Sequence, residues 1–207
     1  MEAADPERLV VDRRVAELFA LVAEALAGAT DSLLGADREA AQRVVDQDGV
    51  IDSLVEEVEL LAWGMLESQI EHRELRHLVG VLLILPELER SADLAEHVAQ
   101  RAVAGLGGEM SPSSRGLVQR MAEVGLDMWK AVAVAFAERT ERGVALDEAD
   151  EELDILHDRL SAEVATGSMP APVSAQVVLL ARFYERLGDH AVNLARRIGA
   201  LSGGARA

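Results

Sequence analysis

From Val173 to Leu201 apolar residues recur at alternating steps of four and three: Val173, Val177, Leu180, Tyr184, Leu187, Ala191, Leu194, Ile198 and Leu201. Only an α-helix turns that spacing into a continuous stripe, and a stripe about eight turns long must be covered by other helices. Within it, Ala181 to Arg197 reads ARFYERLGDHAVNLARR and carries two acids, Glu185 and Asp189, one helical turn apart. At 100° per residue they fall roughly 140° and 180° from the middle of the apolar seam, on the outer face. Val178, Ala181, Gly188 and Val192 flank Glu185, so this outer face is less polar than a fully solvated one.

The same spacing occurs earlier in the chain. Pro86 to Arg101, PELERSADLAEHVAQR, places Glu89 and Asp93 one turn apart. Each of these helices is preceded by a second acidic pair, Asp48 and Asp52 in DGVID and Asp150 and Asp154 in DEELD. The offsets, 150 − 48 = 102 and 185 − 89 = 96, are close enough to describe a duplication. Between the copies lies Gly105 to Ser114, GLGGEMSPSS, whose glycines, serines and proline break any periodic pattern. A first repeat is therefore predicted over residues 1–106 and a second over 112–207.

Apolar residues at helical intervals predict helix one from Pro6 to about Leu34, with Gly35 as its stop and Asp37 capping a second helix that reaches about Ser68. Helix three covers His72 to Val103, with a kink expected near Leu82 to Leu85 because Pro86 removes a backbone donor. Helix four is expected from Arg115 to Arg142, ended by Gly143, and helix five from about Asp147 to Thr166. Helix six follows Gly167 to Pro172 and runs to about Leu201, ahead of a frayed SGGARA tail. No alternating strand pattern is found, so the fold class is all-α, two tandem similar three-helix bundles with six helices.

Half the residues are hydrophobic but aromatics are only 3%, which leaves Leu, Val, Ala and Ile to fill the core. A net charge of −17 and a pI near 4.6 argue against nucleic acid and anionic membrane surfaces as partners. The lack of cysteine removes disulfides, thiol catalysis and thiolate metal sites. MEAADPERL has neither a basic n-region nor an apolar h-region, and the most apolar run, Leu78 to Leu85, is short for a membrane span, so a cytoplasmic protein is expected.

Two readings compete for the acids. They can be surface carboxylates paired with Arg182, Arg186 and Arg196, each pair contributing about 0.2–0.5 kcal/mol. Alternatively, two carboxylates on each of two neighbouring helices converge four acids, whose mutual repulsion a hard or borderline cation relieves. The second reading gives one outer-face metal site per repeat: Asp48, Asp52, Glu89 and Asp93, then Asp150, Asp154, Glu185 and Asp189. His97, one turn beyond Asp93, is either a surface histidine or an added imidazole ligand, while His190 points away from Glu185 and Asp189. A di-iron carboxylate bundle needs two Glu-x-x-His motifs, and only Glu74 to His77 has that spacing. With no phosphate loop, nucleophile motif or zinc-protease helix, no enzyme activity is expected.

ERLGDHAVNLA is very similar to the E-R-[IV]-G-D-x-x-x-N-I-x signature of the PhoU proteins of bacterial phosphate signalling, with Asn193 at the asparagine position. ELERSADLA resembles the first-repeat counterpart, although Ser91 and Ala92 stand where that family prefers an aliphatic residue and glycine. Gln69 to Arg76, QIEHRELR, follows Q-P-x-x-x-D-L-R with Ile70 for proline and Glu74 for aspartate. The resemblance covers nearly the whole chain. It implies metal ions on the paired acids (iron, zinc, or magnesium and manganese) and frequent homodimers. It further implies an adaptor that represses the phosphate-starvation response by linking the phosphate transporter's ATPase to a sensor histidine kinase. The residues alone leave two alternatives open, a carboxylate-rich metal store or metalloenzyme, and a purely structural helical scaffold.

Overall fold

The computed structural model describes residues 6–68, 70–138, 143–167 and 169–203, and all regular structure within them is helical. Six long helices follow one another: α1 (Pro6–Gly35), α2 (Arg38–Leu66), α3 (His72–Val103), α4 (Pro112–Glu138), α5 (Gly143–Thr166) and α6 (Ala171–Gly203). A single 3-10 turn, Leu106–Gly108, sits between α3 and α4. Gln69 and the expected end of helix four at Arg142 lie outside the described residues.

Asp37 caps α2 as its sequence position suggests, its carboxylate accepting from the Ala40 N–H at 2.9 Å. The preceding helix ends one residue later than expected. Gly35 is still helical, and Ala36 takes the left-handed conformation at φ 54°. The Asp37 N–H donates to the Ser32 carbonyl at 2.9 Å and the Ala36 N–H to Leu33 at 3.2 Å, the paired bonds of a Schellman stop. Gly143, expected to end helix four, instead opens α5, a turn ahead of Asp147. Helix α4 starts three residues before Arg115, where the Ser111 hydroxyl accepts from the Ser114 N–H at 3.0 Å and Pro112 needs no N–H partner. Pro86 is inside α3, which continues as one helix to Val103.

Helices α1, α2 and α3 pack on one another, as do α4, α5 and α6. The two sets are also packed together, α1 on α4 and α3 on α6, so four inner helices share one hydrophobic core and α2 and α5 flank it. At the α1–α4 seam the indole N–H of Trp129 donates to the Phe19 carbonyl at 2.9 Å, and the Phe19 ring lies 5.6 Å from Trp129 and 5.7 Å from Phe136. The Tyr184 hydroxyl reaches Thr30 at 2.7 Å, tying α6 to α1. Helices α3 and α6 run antiparallel: Leu83 meets Arg197, Ser91 meets His190, and His97 meets Phe183.

The junction between repeats is built into this core. A Cβ on Gly107 would come within 1.8 Å of the Leu33 carbonyl oxygen, and Gly105 adopts φ 90° against the Arg38 guanidinium. Arg115 then donates to the carbonyls of Gly107 and Leu34, fastening the start of α4 to the end of α1.

Helix α1 is long and apolar enough to cross a membrane, a property that a search for uninterrupted apolar runs overlooks. Its Val11, Val15, Leu18, Phe19, Val22 and Leu26 are buried, and it packs against α2, α3 and α4, so its hydropathy belongs to a core helix.

Candidate functional site

The α6 seam is buried from Val173 to Ile198, with Tyr184, Leu187, Ala191 and Leu194 all at 1% exposure or less. That fixes the helix rotation and turns Glu185 and Asp189 away from the core, towards α5. Asp150 and Asp154, one turn apart on α5, come up on the other side of the same surface. The four carboxylates affect one another electrostatically. Burial, then the charges of Asp189, Asp154, Glu185 and Asp147, push the Asp150 carboxyl up to about 6. Glu185 is also raised, by burial first and by Asp189 and Asp154, against the opposing pull of Arg182 and His157.

The first repeat builds the same arrangement between α2 and α3. Burial, followed by the charges of Glu96, Asp52, Asp93 and Glu89, pushes Asp48 up to about 6. Glu89 is raised by burial, Asp52, Asp93 and Glu59, with Arg90 working the other way. Each predicted set of four acids is thus gathered on one outer surface.

Residues beyond the acid pairs also belong to these surfaces. Glu96 is the largest charge acting on Asp48, and His157 approaches Glu185. Glu96 lies seven residues beyond Glu89, Glu59 seven beyond Asp52 and His157 seven beyond Asp150. Two turns along a helix return to the same face, so extending each pair by that interval finds all three.

As donors for a cation the sets are coherent: oxygen ligands with clustered negative charge on adjacent helices, a chemistry that suits a hard divalent or trivalent ion. The side chains are not yet turned to a common point. Among the described residues no group of three or more His, Cys, Asp or Glu is already placed to hold a metal. Glu185, for example, is engaged by the Arg182 guanidinium one turn before it. The helices bring the four acids of each set to one surface, but their carboxylates do not converge on a common point.

Three other candidate residues take structural places. His97 stacks on Phe183 of α6 at 5.3 Å between ring centres, with the Arg101 guanidinium 4.5 Å over the same ring, so it faces the other repeat. Glu74 and His77 both turn to α1. Glu74 pairs with the buried Arg8 at 3.1 Å, and His77 meets Asp12 at 2.6 Å. His190, set aside on sequence, is buried between α3 and α6. The Ser91 hydroxyl donates to the Glu87 carbonyl at 2.6 Å, leaving its oxygen to accept from the His190 Nδ1–H at 3.1 Å. Burial lowers the His190 pKa despite the nearby Glu87 carboxylate. Ser91 is thus one of the points where the repeats meet through a polar contact.

The PhoU domain model matches residues 15–102 and again 118–198. The chain is 30% identical to the phosphate-specific transport system accessory protein PhoU homolog of Rhizobium meliloti, over all of this chain and 90% of that protein. It is also 30% identical to PhoU homolog 2 of Mycobacterium tuberculosis, over 91% of each. The crystal structure of PhoU from Pseudomonas aeruginosa superposes with a TM-score of 0.87 at 25% identity, covering 96% of this chain and 98% of that one. The phosphate transport system regulatory protein PhoU from Streptococcus pneumoniae gives a TM-score of 0.80 at 21% identity, covering 94% of both.

Proposed function

The chain belongs to the PhoU family, and from that premise we propose that it is a regulatory accessory protein of phosphate transport. It represses the phosphate-starvation response in the cytoplasm by coupling the phosphate transporter's ATPase to a sensor histidine kinase. The observation that supports this most directly is the full-length match to relatives named as phosphate-specific transport accessory proteins. The chain's charge of −17 suits docking to basic patches, where complementary charge speeds association and makes it salt-sensitive. It works through partners and carries no turnover of its own. Self-association into a homodimer is part of the same proposal.

Metal binding is a second element of it. One cation sits on Asp48, Asp52, Glu89 and Asp93, and one on Asp150, Asp154, Glu185 and Asp189. The burial and mutual repulsion that raise Asp48 and Asp150 support this, because a cation stabilises all the carboxylates of its set at once.

Deletion in the source organism tests the adaptor role. Phosphate-scavenging genes should switch on in phosphate-rich medium, and complementation with Glu185→Ala plus Asp189→Ala shows whether the acids are needed. If those genes and phosphate uptake are untouched while iron or zinc homeostasis is disturbed, a metal store is the better reading.

A further inference from the structure

A cavity of about 150 Å³ opens between α1, α2 and α3 of the first repeat; it shares Asp48 and Glu96 with the acidic surface and adds an apolar wall to them. Leu21 and Ala25 of α1, Val44 and Ile51 of α2, and Ala92 of α3 form its apolar wall. The carboxylates of Glu24, Asp48 and Glu96 come from the same three helices, and no Lys or Arg lines it.

The duplication gives an internal control. The family matches start at residues 15 and 118, which sets α1 against α4 with an offset of 118 − 15 = 103. The buried positions agree: Val15 with Val118, Leu18 with Met121, Val22 with Gly125, Leu26 with Trp129. In that register Ala25 corresponds to Met128. With the α3–α6 offset of 96, Ala92 corresponds to Gly188 and Glu96 to Val192. Met128 is buried, and its terminal methyl lies 3.6 Å from where a Cβ on Gly188 would stand, beside Leu153 and Asp150. The second repeat therefore fills this space with a methionine and lines it with valine. The first leaves the space open and adds an acid.

We propose that this cavity binds a small aliphatic primary ammonium ion, alkyl chain against Leu21, Ala25 and Ile51 and ammonium at the carboxylates of Glu24, Asp48 and Glu96. An anion is repelled by the three acids, and a metal ion gains nothing from an apolar wall. An uncharged hydrocarbon leaves the carboxylates uncompensated. A cavity of roughly this volume admits a benzene-sized guest, which is about the heavy-atom count of n-pentylammonium.

Calorimetric titration of the full chain with n-pentylammonium chloride tests the assignment, with n-pentanol and sodium pentanoate as comparators. One saturable site per chain is expected for the ammonium ion and none for pentanoate. Ala25→Met, which copies the second repeat without changing charge, should abolish binding. Glu96→Gln should weaken it about tenfold. Glu152→Gln, the same change of charge on the exposed face of the other repeat, should leave it within about twofold, and so should excess EDTA, which separates this site from metal binding. If Ala25→Met lowers the melting temperature substantially, Glu96→Gln and methyl chemical-shift changes at Ala25 and Ala92 decide instead. No saturable binding by the wild type, equal binding by Ala25→Met in a folded state, equal binding of pentanol, or unaltered binding by Glu96→Gln overturns the proposal.

Discussion

Ala36 carries a left-handed backbone at φ 54°, a conformation that costs a residue with a Cβ roughly 1 kcal/mol more than glycine. Ala36→Gly is therefore expected to raise stability by somewhat less than that, about 2 °C in melting temperature, with no change in helix content. A calorimetric melt checks it, and an unchanged or lower midpoint refutes it. The acids give a pH dependence at the same scale. Asp48 and Asp150 sit near 6 in the folded chain against an ordinary 3.8. The folded state thus holds these protons more tightly than the unfolded one, so their contribution to stability improves as pH falls from above 6 towards 4. Above 6 both are charged and the folded state bears the cost of their burial and repulsion. Asp48→Asn with Asp150→Asn should melt higher than the wild type at pH 7.5, by about 1 kcal/mol after solvent screening, and converge with it near pH 4. Equal differences at both pH values would count against this electrostatic account. At this scale the eight acids and their common faces were legible because a four-residue interval fixes direction on a helix. The partners of His97, Glu74 and His190 were not, since periodicity shows which side of a helix is polar but not what is packed opposite it.

Between elements, the closest constraint is the junction. A methyl on Gly107 would overlap the Leu33 carbonyl oxygen at 1.8 Å, and a backbone atom cannot move aside as a flexible side-chain end can. Gly107→Ala should cost on the order of 2 kcal/mol, read as a lower urea midpoint. A midpoint within error of the wild type would mean that α1 and the 3-10 turn can separate freely. By contrast, Gly188→Ala meets the Leu153 methyl at 2.6 Å and an Asp150 oxygen at 2.9 Å, both side-chain ends that can give way. Its clash is offset by the helix propensity gained, about 1 kcal/mol. The helices themselves were largely legible, because a 3-4 apolar alternation and Asp37 as a cap act locally. The boundaries that shifted have local causes too: Ala36 takes the left-handed position that Gly35 was expected to mark, and Ser111 caps α4 ahead of Arg115.

Across the whole molecule, the duplication suggests two units of 1–106 and 112–207, yet the helices of each repeat bury side chains against the other. Phe19 packs on Trp129 and Phe136, Thr30 bonds Tyr184, and Ser91 bonds His190. Sequence repeats announce that copies exist; the contacts between copies are long-range and leave no periodic trace, so the shared core was not legible. Expressed alone, residues 1–111 would expose the Phe19 and Ser91 faces of α1 and α3, and residues 112–207 the Trp129 and His190 faces of α4 and α6. Neither half is then expected to melt cooperatively as a monomer, because a bundle of that size with an uncovered apolar face buries too little surface to offset its chain entropy. Mixing them in equal amounts should restore helix content and a single transition, since the inter-repeat contacts are complementary. Circular dichroism and analytical ultracentrifugation of each half and of the mixture decide the point. A half that melts as a monomer near the temperature of the intact chain would show that the repeats fold independently and that the shared core contributes little.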